Sequence, residues 1–206
     1  MAGQRKSLGN VEHAKQLFEK HGGVLRTRKA IRLGIHPRTL YRMRDEGMLE
    51  QLERGLYRLA ELPPFGDPDL VAVALKVPRG VICLVSALAY HELTTQVPHE
   101  VHLALPRGAE RPRLRQPPVR VFWFAGPAFA QGIETHKVDN FSVRIYSLEK
   151  TLADCFKYRN KIGLDVAVEA LRLYRNQRRP RIDELMRYAR ICRVEKIIRP
   201  YLEALQ

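Results

Sequence analysis

Residues 27–59, TRKAIRLGIHPRTLYRMRDEGMLEQLERGLYRL, decide how the N-terminal part of the chain is built. Thr27 stands where an N-cap would, ahead of Arg28-Lys29-Ala30-Ile31-Arg32-Leu33, and its hydroxyl can satisfy a backbone N–H left over at a helix start. Gly34 ends that helix, because glycine enters the left-handed conformation without steric cost. Pro37 sets φ for the first turn of a second helix, where its missing N–H is not needed. The connection between the helices is therefore short. Leu33, Ile35, Leu40 and Met43 fall at spacings that face a common core, and Ala30 is small enough to let the helices cross closely. Leu49 to Leu52 and Leu56 to Leu59 read as two short strands, with Glu53-Arg54-Gly55 as the turn between them.

Two helices across a tight turn, followed by a basic hairpin, are the layout of a winged helix-turn-helix, which makes duplex DNA the first partner to consider. Upstream, Asn10 can cap a helix whose apolar residues are Val11, Ala14, Leu17 and Phe18, closing a three-helix core. The second helix of the pair is expected to turn Arg38, Thr39, Tyr41, Arg42 and Arg44 outward. Arg38 and Arg42, one turn apart, can reach guanine edges by paired hydrogen bonds, while Thr39 and Tyr41 can meet a thymine methyl or a phosphate. Arg28 and Arg44 flank them, and Arg54 and Arg58 lie on the wing, placed for a phosphate or the minor groove. With Thr27, these residues form the expected DNA-binding set.

Composition agrees with a polyanionic partner. The 206 residues carry 36 Lys and Arg against 22 Asp and Glu, a net charge of +14. Residues 1–62 hold 13 basic against 7 acidic residues, 63–166 hold 13 against 10, and 167–206 hold 10 against 5, so the excess lies mostly toward the two ends. An Arg-rich C-terminal segment, with Arg178 and Arg179, is a candidate second electrostatic footprint. Cys83, Cys155 and Cys192 are far apart and odd in number, which fits reduced, packed thiols in a cytoplasmic protein. MAGQRKSLGN at the start lacks the apolar segment of a secretion signal, and the longest apolar stretch, Val81 to Tyr90, is too short to span a bilayer.

The segment ELPPFGDPDL, 61–70, reads as a turn-rich joint between a domain over 1–62 and a second over 63–206. Asp67-Pro68 opens a helix to about Lys76; Val81 to Leu84 reads as a buried strand; Ser86 is placed to cap the next helix. Val101 to Leu105 and Val119 to Phe124 are strand-like, and the Pro/Arg loop PRGAERPRLRQPP lies between them. Gly132 to Val138 and Phe141 to Tyr146, either side of Asp139-Asn140, suggest a hairpin. Ser147 caps a helix with Leu148, Leu152, Cys155 and Phe156 on one side, and helices follow over Asp165 to Tyr174, Ile182 to Ala189 and from Val194 on. The expected fold class is α+β: an N-terminal winged helix-turn-helix, then a mixed domain with a small β-sheet and a terminal group of helices.

Catalytic motifs are absent from the sequence: there is no phosphate-binding glycine loop, no Gly-x-Ser-x-Gly and no dinucleotide fingerprint. His99 and His102, three apart on an extended segment, point to opposite faces and are not expected to share a metal. Glu134, Lys137 and Asp139 resemble a nuclease core only in composition, not in spacing. Asp154 can pair with Lys150, Tyr158 or a more distant cation. The expectation is a non-enzyme with neither cofactor nor metal.

The N-terminal unit, joined to GVICLVSALAYHELTTQVPHEVHLALPRG (80–108) and YSLEKTLADCFKYRNKIGLDVAVEALRLY (146–174), resembles the AbiEi family, the antitoxins of type IV toxin–antitoxin systems, also described as abortive-infection regulators. The resemblance runs from about residue 10 to 190, and SLEKTLADCFKYRNKIG is its most specific run. It implies a repressor whose winged helix binds inverted repeats in its own promoter, with Arg28, Arg38, Thr39, Tyr41, Arg42, Arg44 and Arg54 at the DNA. It also implies a C-terminal domain that counteracts a nucleotidyltransferase-like toxin, without a stable complex being required and without a membrane. Two other readings stay open at this stage: a nuclease-like enzyme tethered to a DNA reader, and a stand-alone regulator with no toxin.

Overall fold

The computed structural model describes residues 2–63, 66–114, 116–139 and 141–205. The expected joint and the expected Asp139-Asn140 turn fall partly on Pro64, Phe65 and Asn140, which lie outside the described residues, as does Arg115 of the Pro/Arg loop. The chain is α+β and divides into two compact units, Met1–Phe65 and Gly66–Gln206.

The first unit runs α1 (Ala2–Lys20), β1 (Val24–Arg26), α2 (Thr27–Arg32), α3 (Pro37–Asp45), β2 (Leu49–Glu53) and β3 (Leu56–Leu59). Its strands form an antiparallel sheet in the order β1-β3-β2. Phe18 of α1, Ala30 of α2, Leu40 and Met43 of α3, and Leu25 and Leu59 of the sheet are buried together in one core. Asn10 does not cap α1 but lies inside it, because the helix already runs from Ala2. Strand β1 escapes the sequence reading because three residues are too few to show alternation.

The break between α2 and α3 follows from Gly34. Its φ is +94°, its N–H donates to the Ile31 carbonyl at 3.0 Å, and the Ile35 N–H donates to the Ala30 carbonyl at 3.0 Å. This is a Schellman closure: it satisfies the last carbonyls of α2 and folds Ile35 back over Ala30. Then α3 starts at once, with Pro37 in its first turn and the His36 ring accepting the Arg38 N–H at 3.1 Å.

The second unit runs α4 (Pro68–Lys76), β4 (Val81–Ile82), α5 (Leu84–Tyr90), β5 (Val101–Pro106), β6 (Val119–Phe124), α6 (Pro127–Ala130), β7 (Ile133–Val138), β8 (Phe141–Tyr146), α7 (Leu148–Lys157), α8 (Arg159–Ile162), α9 (Leu164–Arg175), α10 (Ile182–Ile191) and α11 (Glu195–Ala204). Its strands form a mixed sheet in the order β6-β5-β4-β8-β7. Asp67 caps α4 by accepting the Leu70 N–H at 3.1 Å, and Ser147 caps α7 by accepting the Lys150 N–H at 3.4 Å, both as the sequence leads one to expect. Ser86 does not cap α5. It lies within the helix, where its hydroxyl accepts the His102 N–H at 2.9 Å and donates to the Glu100 carbonyl at 3.4 Å, tying α5 to β5. Strand β4 is shorter than expected, since Leu84 already belongs to α5.

Helix α7 is the centre of this unit. The sequence predicts one apolar side, yet every residue from Glu149 to Phe156 is buried, because α5, α9, α10 and α11 all pack against it. Its polar residues find partners inside the protein. Lys150 Nζ lies 2.5 Å from Asp154 Oδ2 one turn on, and sits over the Tyr146 ring at 4.1 Å. Cys192 of the segment after α10 donates its thiol to Asp154 Oδ1 at 3.2 Å. Burial pushes the Asp154 carboxyl above its ordinary value, against the pull of the Lys150 charge. Glu149 accepts two bonds from the Arg181 guanidinium, at 2.9 and 2.8 Å, and one from the Tyr174 hydroxyl at 3.2 Å.

A buried ion pair is costly to break from one side only. Lys150→Met is expected to lower the unfolding free energy by about 3–5 kcal/mol, and adding Asp154→Leu to recover most of that loss. Urea unfolding of the two variants measures both; equal losses would mean that the pair is not coupled.

Candidate nucleic-acid interface

Helix α3 has two faces fixed by its spacing. Leu40 and Met43 are buried against the first unit's core. Arg38, in the first turn, is exposed, Tyr41 is 43% exposed, and the Arg42 side chain is 34% exposed. With Asp45 and Glu46 they line a shallow, open concavity. Arg42 Nε lies 3.9 Å from Glu46 Oε1, one turn on. The Arg44 guanidinium donates to Asp45 Oδ1 at 2.8 and 2.6 Å and packs 5.3 Å from the Tyr41 ring centroid. The carboxylates of Asp45 and Glu46 sit at the C-terminal end of α3, so the N-terminal half presents positive charge.

Two expected contacts do not lie on this face. Thr39 is only 8% exposed. It precedes Met43 by four residues, so the helical period turns it toward the core rather than outward. Arg58 is 6% exposed and is not a wing residue. It lies in β3, the middle strand, where all four residues are buried. Its guanidinium reaches Glu50 Oε2 at 3.4 Å and the carbonyl of Pro63. It therefore ties β2 and the segment after β3 to the sheet.

Thr27 has a different part from the one its position suggests. The N-cap of α2 is Arg26, and no side chain caps the helix. Thr27 instead bonds the hairpin turn: its N–H donates to the Gly55 carbonyl at 2.8 Å and its hydroxyl to the same oxygen at 3.3 Å. The hairpin tip, with exposed Arg54, is thus fastened to the first turn of α2, which carries exposed Arg28. Gly55, with φ +76°, makes that turn possible. Arg26 beside it is engaged with Glu53 at 3.1 Å.

The sequence reading passes over His36, Lys29 and Arg32, all exposed on the same helix pair. The signal for His36 is available in the sequence: a residue directly before a helix-opening proline is the N-cap, at the tip of α3.

The catalytic candidates are not brought together. Glu134 bonds the His136 ring at 3.1 Å, while Asp139 accepts the Asp67 N–H at 3.3 Å. Among the described residues, no group of three or more His, Cys, Asp or Glu is arranged to hold a metal ion, and no helix is long and apolar enough to cross a membrane. His102 is buried against Phe122, and burial lowers its imidazole to about 4.

Residues 14–60 match the family model described as transcriptional regulator, AbiEi antitoxin. The resemblance to that family is borne out over this segment, which runs from the middle of α1 to the end of the hairpin. No curated protein matches the chain.

Because Arg58 is enclosed, its loss is expected to act on folding. Arg58→Ala should destabilise the first unit by about 1.5–3 kcal/mol, the range for hydrogen bonds to a charged group. Thermal unfolding checks this; an unchanged midpoint would return Arg58 to the list of surface cations.

Proposed function

We propose that the chain is a sequence-specific DNA-binding transcriptional regulator. The N-terminal unit is read as a winged helix-turn-helix, with α3 as the helix that enters the major groove and the β2–β3 hairpin as the wing. What carries the reading is the outward face of α3, Arg38, Tyr41 and Arg42, inside a segment that matches a transcriptional-regulator family. In this reading Arg38 and Arg42 donate to base edges, and Tyr41 meets a thymine methyl or a phosphate. Arg28, Arg44 and Arg54 neutralise phosphates on either side. Arg42 and Arg44 exchange their bonds to Glu46 and Asp45 for bonds to DNA, so part of the gain is offset by contacts given up.

The resemblance read from the sequence adds two finer statements to the proposal. The protein represses its own promoter by binding inverted repeats there, and its second unit serves as an antitoxin against a nucleotidyltransferase-like toxin. A permanent complex between the two is not required for that role.

Binding to duplexes from the promoter of its own gene, followed by fluorescence anisotropy across a salt series, tests the reading. Arg42→Ala is expected to weaken specific binding by about 1–3 kcal/mol and to relax preference at one base position. Arg54→Ala should weaken all duplexes alike and reduce the salt slope by about one. Full affinity and selectivity in the Arg42 variant would exclude α3 as the reading helix.

A further inference from the structure

The second unit carries an exposed indole beside exposed arginines of the loop between β5 and β6. Strand β6 is at the edge of the sheet. Phe122 and Phe124 turn into the core, so alternation turns Trp123, the chain's single tryptophan, the other way, where it is 45% exposed. Its ring N–H is already used, donating to the Ala109 carbonyl at 2.9 Å. What remains accessible is ring surface, which can stack but has no hydrogen bond left to give.

Four cations lie beside this strand, two of them, Arg120 over the Phe122 ring and Lys161 over the Tyr158 ring, on the face away from Trp123. The Arg107 N–H donates to the Phe124 carbonyl at 2.7 Å, and Arg111 Nη2 donates to the Val119 carbonyl at 3.5 Å. Arg120 Nη2 donates to the Lys161 carbonyl at 3.4 Å, and the Tyr158 hydroxyl donates to the Trp123 carbonyl at 3.2 Å. Of the four, Arg120 has a carboxylate, Glu100, at 3.5 Å. Among the described residues, Arg107, Arg111 and Lys161 are in no ion pair. In the Arg-rich C-terminal segment, Arg181, Arg187, Arg190 and Arg199 are each held by glutamates, while among the described residues Arg178 and Arg179 are in no ion pair.

We propose that this surface binds a single-stranded nucleic acid, with one base stacked on Trp123 and the flanking phosphates held by Arg107 and Arg111. A stacking ring beside cations that are in no ion pair is how such strands are held without regard to sequence. Duplex DNA keeps its bases stacked on one another and has no base free for the indole. A lipid surface shares the phosphate but calls for several apolar anchors, and here one indole is exposed. The proposal concerns a different unit and a different nucleic-acid form from the regulator reading, and stands apart from it.

Because Trp123 is the only tryptophan, its emission reports contact at this surface in the intact chain. The probes are oligouridine and oligodeoxythymidine of about ten nucleotides, within the usual site size of a single-strand groove. Saturable quenching that weakens with salt is expected, with the preferred probe distinguishing RNA from DNA. By anisotropy of labelled probe, Trp123→Ala should lower affinity about tenfold, and Arg107→Ala/Arg111→Ala should lower it and flatten the salt dependence. Arg38→Ala/Arg42→Ala should leave it unchanged, which separates this surface from duplex binding. The proposal is overturned if neither probe quenches Trp123, if the α3 variant alone loses single-strand binding, or if anionic vesicles quench Trp123 where the oligonucleotides do not.

Discussion

The outward surface of α3 depends on the packing of its inward one. Leu40 and Met43 are buried to the last few per cent, and Thr39 goes in with them. A helix of nine residues has little else to hold it, since short helices are not stable on their own. The Schellman closure at Gly34 brings the chain into α3 in a fixed direction, and a second closure at Gly47 (φ +75°), with the Met48 N–H on the Met43 carbonyl at 2.8 Å, takes it out into β2. Between the two, the core determines which way Arg38, Tyr41 and Arg42 face.

In the second unit, the same logic is applied to charge. A helix buried on all sides is ordinarily apolar. Helix α7 instead carries Glu149, Lys150 and Asp154 into the interior, and the cost of dehydrating them is offset because each meets a partner in a defined place. Glu149 joins α7 to Arg181 and Tyr174, and Asp154 joins it to Lys150 and Cys192. These bonds admit few alternative packings, so the polar residues fix how α9 and α10 sit on α7 as well as how firmly.

Much of this was legible in the sequence where local chemistry decides. Gly34, Pro37, Asp67 and Ser147 mark the ends of helices through backbone sterics or a single hydrogen bond, and Leu56–Leu59, Val119–Phe124 and Phe141–Tyr146 stand as strands where expected. The misreadings share a cause, since each concerns a residue claimed by a distant partner. Thr27 has the look of an N-cap, yet its hydroxyl is taken by Gly55, 28 residues away. Ser86 is taken by β5. Arg58 reads as a wing cation only until one knows that β1 pairs on its far side and makes β3 the middle strand. The one-sided stripe expected of α7 was incomplete for the same reason, because the partners of its charges come from α9, Arg181 and Cys192.

Net charge is likewise a coarser guide than its placement. Of the chain's 36 basic residues, some are structural, such as Arg58 and Lys150, and others are matched to glutamates along α10 and α11. The cations that remain exposed on α2, on α3 and at the hairpin tip carry the proposed regulator role. Amide chemical-shift mapping of the intact chain, titrated with a duplex from its own promoter, tests that role most directly. The account predicts the largest shifts at Arg38 to Arg42 and at Arg54-Gly55, with the buried core of α7 undisturbed. A specific duplex that shifts only amides outside α2, α3 and the hairpin would contradict it.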